Sequence, residues 1–166
     1  MILALSEHPG GVATEAGNRV VYDLERNEAR YGAARVDGPA LVWELVVDPG
    51  PGGWILRCDR VDFPPGGVAY RHVHPGAGIR RILHGGLTID RDGDAHTYAA
   101  GESWYEGADD PVLATGSPTE ETAFVRVMLL PAMWAGRRTI RYVDPADEDK
   151  PRLQRATVLL EEPLRR

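Results

Sequence analysis

Two histidines separated by one residue, His72 and His74, carry the clearest chemical signal in the sequence. On an extended strand, residues two positions apart point to the same side, so both imidazoles can face one cavity. Imidazole is a ligand for Fe, Zn, Cu and Ni, and near neutral pH it also donates, accepts or transfers protons. The pair therefore predicts a site. It leaves open whether that site holds a metal ion or only hydrogen-bonds to neighbours, ligand or water.

Short β-strands and turns surround this pair over most of the chain. Segments rich in Val, Ile, Trp and Thr recur about every 8–12 residues, which is typical of an all-β sandwich or barrel. Turn sequences such as Pro64-Pro65-Gly66-Gly67 separate them, and no βαβ pattern is present. We predict strands at residues 19–23, 40–48, 54–63, 68–74, 79–84, 87–90, 95–99, 102–106, 111–115, 123–130, 139–143 and 155–162. Residues 1–18 read as an irregular arm, and residues 24–35 read as a loop or a turn of helix.

Composition excludes several classes of function. A chain of 166 residues suits one domain, and its net charge of −6 without a basic run argues against a nucleic-acid partner. No segment approaches the roughly 20 apolar residues of a membrane span, and the first residues lack the features of a signal peptide. The lone Cys58 cannot form an intrachain disulfide, which is consistent with a reducing compartment. We therefore expect a cytoplasmic protein with no membrane or nucleic-acid partner and a buried, inert thiol.

The histidine stretch resembles the first sequence motif of the cupins. Gly66, His72, His74 and Gly85 lie at that family's spacing, and the sequence HVHPG precedes a further strand. The resemblance covers residues 40–130 and implies a cupin-type double-stranded β-helix, a jelly-roll barrel, with N- and C-terminal extensions. Residues 1–166 would then form a single cupin domain. The tail, residues 131–166, would pair with an open sheet edge of its own chain or of a second subunit, which favours a homodimer.

The chain departs from the family pattern at two metal-ligand positions. The glutamate of the first motif is replaced by Gly78, or by Ile79 under a longer spacing, and the histidine of the second motif falls on Val112. Only His72 and His74 match the family's metal ligands. We expect Glu106, which follows the second-motif glycine Gly101 and ends a strand, to be the best candidate for a third ligand.

Two functions from different classes follow. The first is a divalent-metal-dependent enzyme, oxygenase-like or isomerase-like, with Fe, Mn, Ni or Zn held by His72, His74 and Glu106. The second is a metal-free cupin that binds or senses a small anionic ligand. In that case Arg80 binds the anion, because a guanidinium recognises carboxylate or phosphate with two parallel hydrogen bonds, while Trp104 and Tyr105 line the cavity. A barrel that serves only as a scaffold for an oligomer remains a third possibility.

Overall fold

Alternating apolar residues and Gly/Pro/Asp turns give a structure built almost entirely of β-strands. The structure, a computed structural model, describes residues 3–46 and 52–165. Within them sixteen strands occur: Leu3–His8 (β1), Val12–Thr14 (β2), Arg19–Asp23 (β3), Glu28–Tyr31 (β4), Ala34–Val36 (β5), Ala40–Leu45 (β6), Trp54–Phe63 (β7), Val68–Val73 (β8), Gly78–His84 (β9), Gly86–Arg91 (β10), Asp94–Ala99 (β11), Ser103–Glu106 (β12), Val112–Gly116 (β13), Thr122–Pro131 (β14), Arg141–Tyr142 (β15) and Arg155–Pro163 (β16). Two 3₁₀ turns, Ala132–Trp134 and Pro145–Asp149, join the last strands.

Two five-stranded antiparallel sheets form the jelly roll. One sheet has the order β12-β9-β14-β7-β16 and is called the β14 sheet; the other has the order β11-β10-β13-β8-β15 and is called the β8 sheet. Residues of both sheets, including Phe63 and Phe124 from the first and Leu87 and Ile89 from the second, pack in one apolar cluster. The inner faces of the two sheets therefore enclose a common interior, as the resemblance implied.

The central strands of the β14 sheet are buried on both faces. Along β14, Phe124 faces the jelly-roll interior, while Val125, Val127 and Leu129 pack on the opposite face. This explains the nearly continuous apolar sequence TAFVRVMLLP, since a strand covered on both sides loses the usual polar alternation. Cys58 of the neighbouring strand β7 is fully buried on the same outer face, as expected for a lone cysteine.

A four-stranded sheet with the order β1-β6-β3-β4 covers that outer face. Val20, Tyr22, Leu41 and Trp43 of this sheet pack against the outer face of β7 and β14. The Trp43 indole is fully buried, and its Nε1 donates to the carbonyl of Ile79 on β9 at 3.3 Å. The N-terminal sheet thus supports the strands that carry the candidate site.

Two expectations for the N-terminal part were wrong. The predicted arm, residues 1–18, contains β1, which pairs with β6, and β2, which pairs with β5. The predicted loop or helix, residues 24–35, contains β4 and the start of β5. Its Glu, Ala and Arg residues are good helix formers, but alternate exposure and pairing with β3 decide the conformation, since strand preference depends strongly on tertiary context. The strand predicted over residues 40–48 ends at Leu45, and positions 47 and 48 lie outside the described residues.

The C-terminal strand β16 adds to the edge of the β14 sheet of its own chain. It pairs with β7 from Arg155 opposite Asp62 to Pro163 opposite Ile55. The acidic segment before it forms the second 3₁₀ turn, whose N-terminus is capped by the Asp144 side chain. No helix long and apolar enough to cross a membrane occurs in residues 3–46 and 52–165.

We expect Trp43→Ala to lower the free energy of unfolding by about 3–5 kcal/mol, because it leaves a large cavity between the N-terminal sheet and the jelly roll. Urea unfolding followed by far-UV circular dichroism measures the change. Leu153→Ala is the matched control: this side chain is exposed, and its truncation should change the free energy by less than about 0.5 kcal/mol. Equal effects of the two variants would contradict the proposed packing.

Candidate functional site

A cavity of about 590 Å³ lies between the inner faces of the two sheets. This volume is within the range of about 300–1,000 Å³ that is usual for small-molecule sites. Its lining falls into three zones. The apolar end is formed by Val61, Phe63, Ala69, Leu87, Ile89, Trp104, Val112, Ala114 and Phe124; the polar belt by Asp59, His72, His74, Arg80, Glu106 and Arg126; and the mouth by Arg57, Arg137, Arg138, Thr139, Arg152, Gln154 and Glu161.

Strand β7 sets the order of these zones. Its inward-facing residues are Arg57 at the mouth, Asp59 in the polar belt, and Val61 and Phe63 at the apolar end. Successive inward residues on a strand are about 7 Å apart, so the lined length along β7 is about 20 Å. The cavity reaches the surface at the mouth, where Arg137, Arg138 and Arg152 are exposed.

Three belt residues of the β14 sheet and Trp104 of the apolar end form one row across four strands. Asp59 on β7 is paired with Arg126 on β14, Arg126 is paired with Arg80 on β9, and Arg80 is paired with Trp104 on β12. Side chains at directly opposite positions point to the same face of a sheet. The row therefore places two guanidinium groups side by side in the interior.

His72 and His74 face this row from the β8 sheet. Both imidazoles are 5% exposed, and their ring centroids are 5.0 Å apart in an edge-to-face arrangement. Val112, the residue at the family's second-motif histidine position, lies directly opposite His72 on the neighbouring strand β13. The HxH spacing thus brings the two imidazoles into one cavity, as the strand geometry predicted.

Arg126 holds both Asp59 and His74. Its Nε and Nη2 donate to Asp59 Oδ2 at 3.1 and 3.0 Å, and its Nη1 lies 3.0 Å from His74 Nε2. A guanidinium can only donate hydrogen bonds, so His74 Nε2 is the acceptor. The proton of the neutral ring is therefore on Nδ1, which donates to Thr139 Oγ1 at 3.2 Å. In this arrangement His74 has no lone pair free for another ligand.

Glu106 is engaged in the same way. Trp104 Nε1 donates to Glu106 Oε1 at 2.7 Å, and Arg80 Nη2 forms an ion pair with Oε2 at 2.7 Å. Arg80 Nη1 also donates to the carbonyl of Gly78 at 2.6 Å. Both carboxylate oxygens of Glu106 are therefore occupied by neighbours within the cavity wall.

His72 differs from His74 in having a nitrogen that faces the cavity. Its Nδ1 lies 2.7 Å from the carbonyl oxygen of Tyr70 and donates to it, which leaves Nε2 as an acceptor in the neutral ring. Within residues 3–46 and 52–165 no side chain or backbone group hydrogen-bonds to His72 Nε2 or to Asp59 Oδ1.

Burial and neighbouring charges set the protonation states of the belt. Burial lowers the pKa of His72 from its ordinary value of 6.5 to about 4, and burial together with Arg126 lowers the pKa of His74 well below that value. Burial alone would raise the pKa of Glu106, but Arg80 and the Trp104 hydrogen bond hold it below its usual range. Burial lowers the pKa of Arg80 to about 10. At neutral pH both imidazoles are neutral, and the Arg80–Glu106 pair is ionised.

The arrangement does not fit a metal ion held by His72, His74 and Glu106. The single lone pair of His74 Nε2 is engaged by Arg126, and each carboxylate oxygen of Glu106 already contacts Arg80 or Trp104. Among the described residues, no group of three or more His, Cys, Asp or Glu side chains is placed to hold a metal ion. A side chain at Gly78, the family's glutamate position, would place its Cβ 2.4 Å from the carbonyl oxygen of Val127 and 3.1 Å from Arg80 Nη1.

The structure separates the two aromatic residues that the sequence placed in the cavity. Trp104 is buried and lines it, whereas Tyr105 lies on the outer face of β12 and is 56% exposed. The expectation that Tyr105 lines the cavity was wrong, because adjacent residues of a strand point to opposite faces. Arg80 points into the cavity, where the sequence placed it, but pairs with Glu106.

Sequence analysis missed Asp59 and Arg126, the residues that organise the belt. A signal for Arg126 was present, since it is the one charged residue within the apolar strand sequence TAFVRVMLLP. A charge in a strand buried on both faces needs a partner. Asp59 points to the same face of β7 as Val61 and Phe63, but nothing in the sequence around it indicated that it would be buried.

Comparison with known families agrees with this geometry. Residues 59–112 match the family model described as a cupin domain. That part of the chain is similar to a cupin domain. The match runs from the middle of β7 to the first residue of β13, and so includes both histidines, Arg80 and Glu106 of the polar belt. A sequence comparison with curated proteins gives no significant match.

Several solved structures are similar to this chain. One is an RmlC-like cupin from Shewanella frigidimarina NCIMB 400, with 22% identity, a TM-score of 0.41, and coverage of 51% of this chain and 81% of that chain. Another is the polyketide cyclase RemF from Streptomyces resistomycificus, with 15% identity, a TM-score of 0.44, and coverage of 82% and 75%. A third is a recombinant oxalate oxidase in complex with glycolate, with 19% identity, a TM-score of 0.44, and coverage of 57% of each chain.

The buried histidines predict an acid-sensitive fold. The pKa of His72 is lower in the folded chain than its ordinary value, so between about pH 4 and 6.5 the unfolded chain binds more protons and stability falls as the pH falls. From pH 7 to pH 5, His72 alone should cost about 2 kcal/mol of the free energy of unfolding. Urea unfolding at the two pH values should therefore show a smaller loss for His72→Gln than for the unaltered protein.

His96→Gln is the control for this experiment, since His96 is exposed on β11. It should lose as much stability on acidification as the unaltered protein. If the His72 and His96 variants respond to acid equally, the inferred protonation state of His72 is wrong.

Proposed function

We propose that the cupin domain binds a small organic anion with an apolar body, without a metal ion held by His72, His74 and Glu106. The observation that carries this proposal is the engagement of His74 Nε2 by Arg126 and of Glu106 by Arg80 and Trp104. This function corresponds to the second hypothesis drawn from the sequence, with the anion site moved from Arg80 to the mouth.

Electrostatics support a metal-free belt. After burial, the charge of Arg126 is the largest cause that lowers the pKa of His74, so the positive charge beside this ring disfavours a dication there. At His72 the charge of Glu106 opposes those of Arg126 and Arg80. Freeing His74 for a metal would also detach Arg126 from its imidazole acceptor in a buried network that includes Asp59. Arg126 would keep Asp59 as its charge partner but lose a buried acceptor, which costs about 1–3 kcal/mol.

The mouth supplies the positive charge that an anion would need. Arg138 and Arg152 share one acid, Glu148, and no ion pair joins Arg137 to an acid among the described residues. Arg57, deeper in the mouth, is fully engaged by Glu161 and by the carbonyls of Trp134 and Arg137. The three outer arginines therefore give a local excess of positive charge in a chain whose net charge is −6, and such a field attracts anions.

The apolar end suits the body of such a ligand. It is lined by aliphatic and aromatic side chains, with Phe124 in contact with the rings of Phe63 and Trp104 at centroid distances of 6.2 and 5.4 Å. Transfer of an apolar group from water into this zone is favourable by about 25 cal/mol per Å² of buried surface. Anion attraction at the mouth and apolar burial beyond it together select an amphiphilic acid.

Binding is better supported than acid–base catalysis. A general base works best when its pKa lies near the working pH. The pKa of His72, lowered to about 4 by burial, makes its free nitrogen a weak base at neutral pH and a good neutral acceptor. The belt is thus suited to holding a ligand.

The metal-free proposal predicts no stoichiometric metal. Protein purified without a His tag, incubated with Fe²⁺, Mn²⁺, Ni²⁺ or Zn²⁺ and then desalted, should contain far less than one equivalent of each ion by inductively coupled plasma mass spectrometry. A His72→Ala/His74→Ala variant should give the same content. One equivalent in the unaltered protein that disappears in this variant would favour the metal-dependent enzyme instead.

The anion site predicts that binding depends on the mouth arginines. Isothermal titration with naphthoate should show an affinity that falls with added salt and falls about tenfold in Arg138→Gln/Arg152→Gln, because the carboxylate loses two charged partners. Arg155→Gln is the matched control: Arg155 is exposed and does not line the cavity. Equal affinities for the two variants would rule out an anion site at the mouth.

A further inference from the structure

Two hydrogen-bond acceptors in the polar belt, one of them a fully buried atom, have no donor among the described residues. Asp59 is 2% exposed and its Oδ1 is fully buried, and no described residue donates to that atom. His72 is 5% exposed, and its Nε2 is likewise without a donor among the residues described. Both residues line the same cavity. Buried polar atoms are nearly always hydrogen-bonded, so Asp59 Oδ1 calls for an explanation. His72 Nε2 is the neighbouring acceptor that a ligand in the cavity could use.

Both acceptors are held in fixed positions by their neighbours. Arg126 binds Asp59 only through Oδ2, which leaves Oδ1 directed away from the ion pair. The contact between His72 Nδ1 and the Tyr70 carbonyl fixes the orientation of the imidazole and places the remaining lone pair on Nε2. Because both side chains are already held in place, little side-chain entropy is lost when a ligand binds and donates to them.

We propose that the ligand of this site carries hydroxyl groups that donate to Asp59 Oδ1 and His72 Nε2. The inference rests on the proposed function and specifies its ligand class as a hydroxylated ring acid. The carboxylate lies at the mouth, and the hydroxyl-bearing ring lies at the polar belt.

The charges of the belt favour hydroxyl groups over other donors. Asp59 and Glu106 balance Arg126 and Arg80, and both imidazoles are neutral, so the belt as a whole carries no net charge. An ammonium group on the ligand would be repelled by the two guanidinium groups. A second carboxylate has no hydrogen to donate and would be repelled by the lone pairs of Asp59 Oδ1 and His72 Nε2. A hydroxyl donates to these acceptors and can also accept from the N–H groups of Arg126 that Asp59 and His74 leave free.

The dimensions of the cavity favour a ring system between the two groups. Arg57 at the mouth and Asp59 in the belt are successive inward residues of β7, which are separated by about 7 Å. The outer arginines lie beyond Arg57, so a ligand that reaches them from the belt must span at least this distance, which a fused pair of aromatic rings does. Beyond the belt, Tyr98 stacks on Trp104 at a centroid distance of 4.8 Å, and Trp104 packs against Phe124. This aromatic wall suits the edge of a flat ligand.

The test compares naphthoate with dihydroxynaphthoate whose hydroxyls are on the ring remote from the carboxylate. Isothermal titration with the unaltered full-length protein should show about tenfold tighter binding of the dihydroxy compound, as expected for added hydrogen bonds to buried acceptors. In His72→Phe this preference should fall to about threefold or less, because one acceptor is lost. Asp59→Asn, which replaces an acceptor oxygen with a donor amide, should remove the preference further.

Asp59→Asn also removes the charge partner of Arg126, so His72→Phe decides the test if the Asp59 variant does not fold. His96→Phe, at an exposed position, is the matched control and should keep the full preference. Equal binding of both probes by the unaltered protein would overturn the hydroxyl inference and leave the anion proposal standing. A preference that persists in the His72 variant would overturn it as well. Binding of neither probe would overturn both proposals.

Discussion

The buried guanidinium of Arg126 is the contact on which the rest of the cavity depends. It lies at the centre of the β14 sheet, paired across strands with Asp59 on one side and Arg80 on the other. The Arg126 guanidinium balances the negative charge of Asp59 on the same sheet. It also donates to Nε2 of His74, which follows β8 in the chain, and so fixes the tautomer of that imidazole. One charge thereby links both sheets and determines which ring nitrogens and carboxylate oxygens remain available to a ligand.

The second ion pair of the belt follows from the same constraint. With Arg126 in place, Arg80 lies beside a like charge and is stable there only with its own acid, Glu106. Gly78 leaves the space that the Arg80 side chain uses, since a Cβ at that position would lie 3.1 Å from Arg80 Nη1. The backbone carbonyl oxygen of Val127 would lie closer still, at 2.4 Å from that Cβ, so strand packing as well as Arg80 excludes a side chain at Gly78.

Most of the jelly roll could be predicted from the sequence, for physical reasons that also explain the errors. Strands such as β7 and β9 are bounded by Pro/Gly turns and show strong apolar patterns, which local chemistry determines. Strands β1, β2, β4 and β5 are short, half-exposed and rich in residues with weak strand preference, so only their pairing partners define them. Pairing between strands that are distant along the chain cannot be predicted from a short stretch of sequence.

The same distinction applies to the site. His72, His74, Arg80 and Glu106 were placed in one interior by strand parity and by the family resemblance, and the structure brings them together. Their pairing was not accessible from the sequence, because Asp59 and Arg126 are 67 residues apart along the chain and meet only through the register of β7 with β14. The sequence alone can identify which side chains are candidates for the site. The hydrogen-bond register decides which of them remain reactive.

The lone thiol of Cys58 lies directly behind this register, on the face of β7 turned toward the N-terminal sheet. Burial, reinforced by the negative charge of Asp59, raises its pKa, and only the thiolate form of cysteine is a good nucleophile. Alkylating reagents therefore have access to it only when β7 separates from the N-terminal sheet. The rate at which Cys58 is alkylated therefore reports how often the central strands open, and no label has to be introduced to measure it.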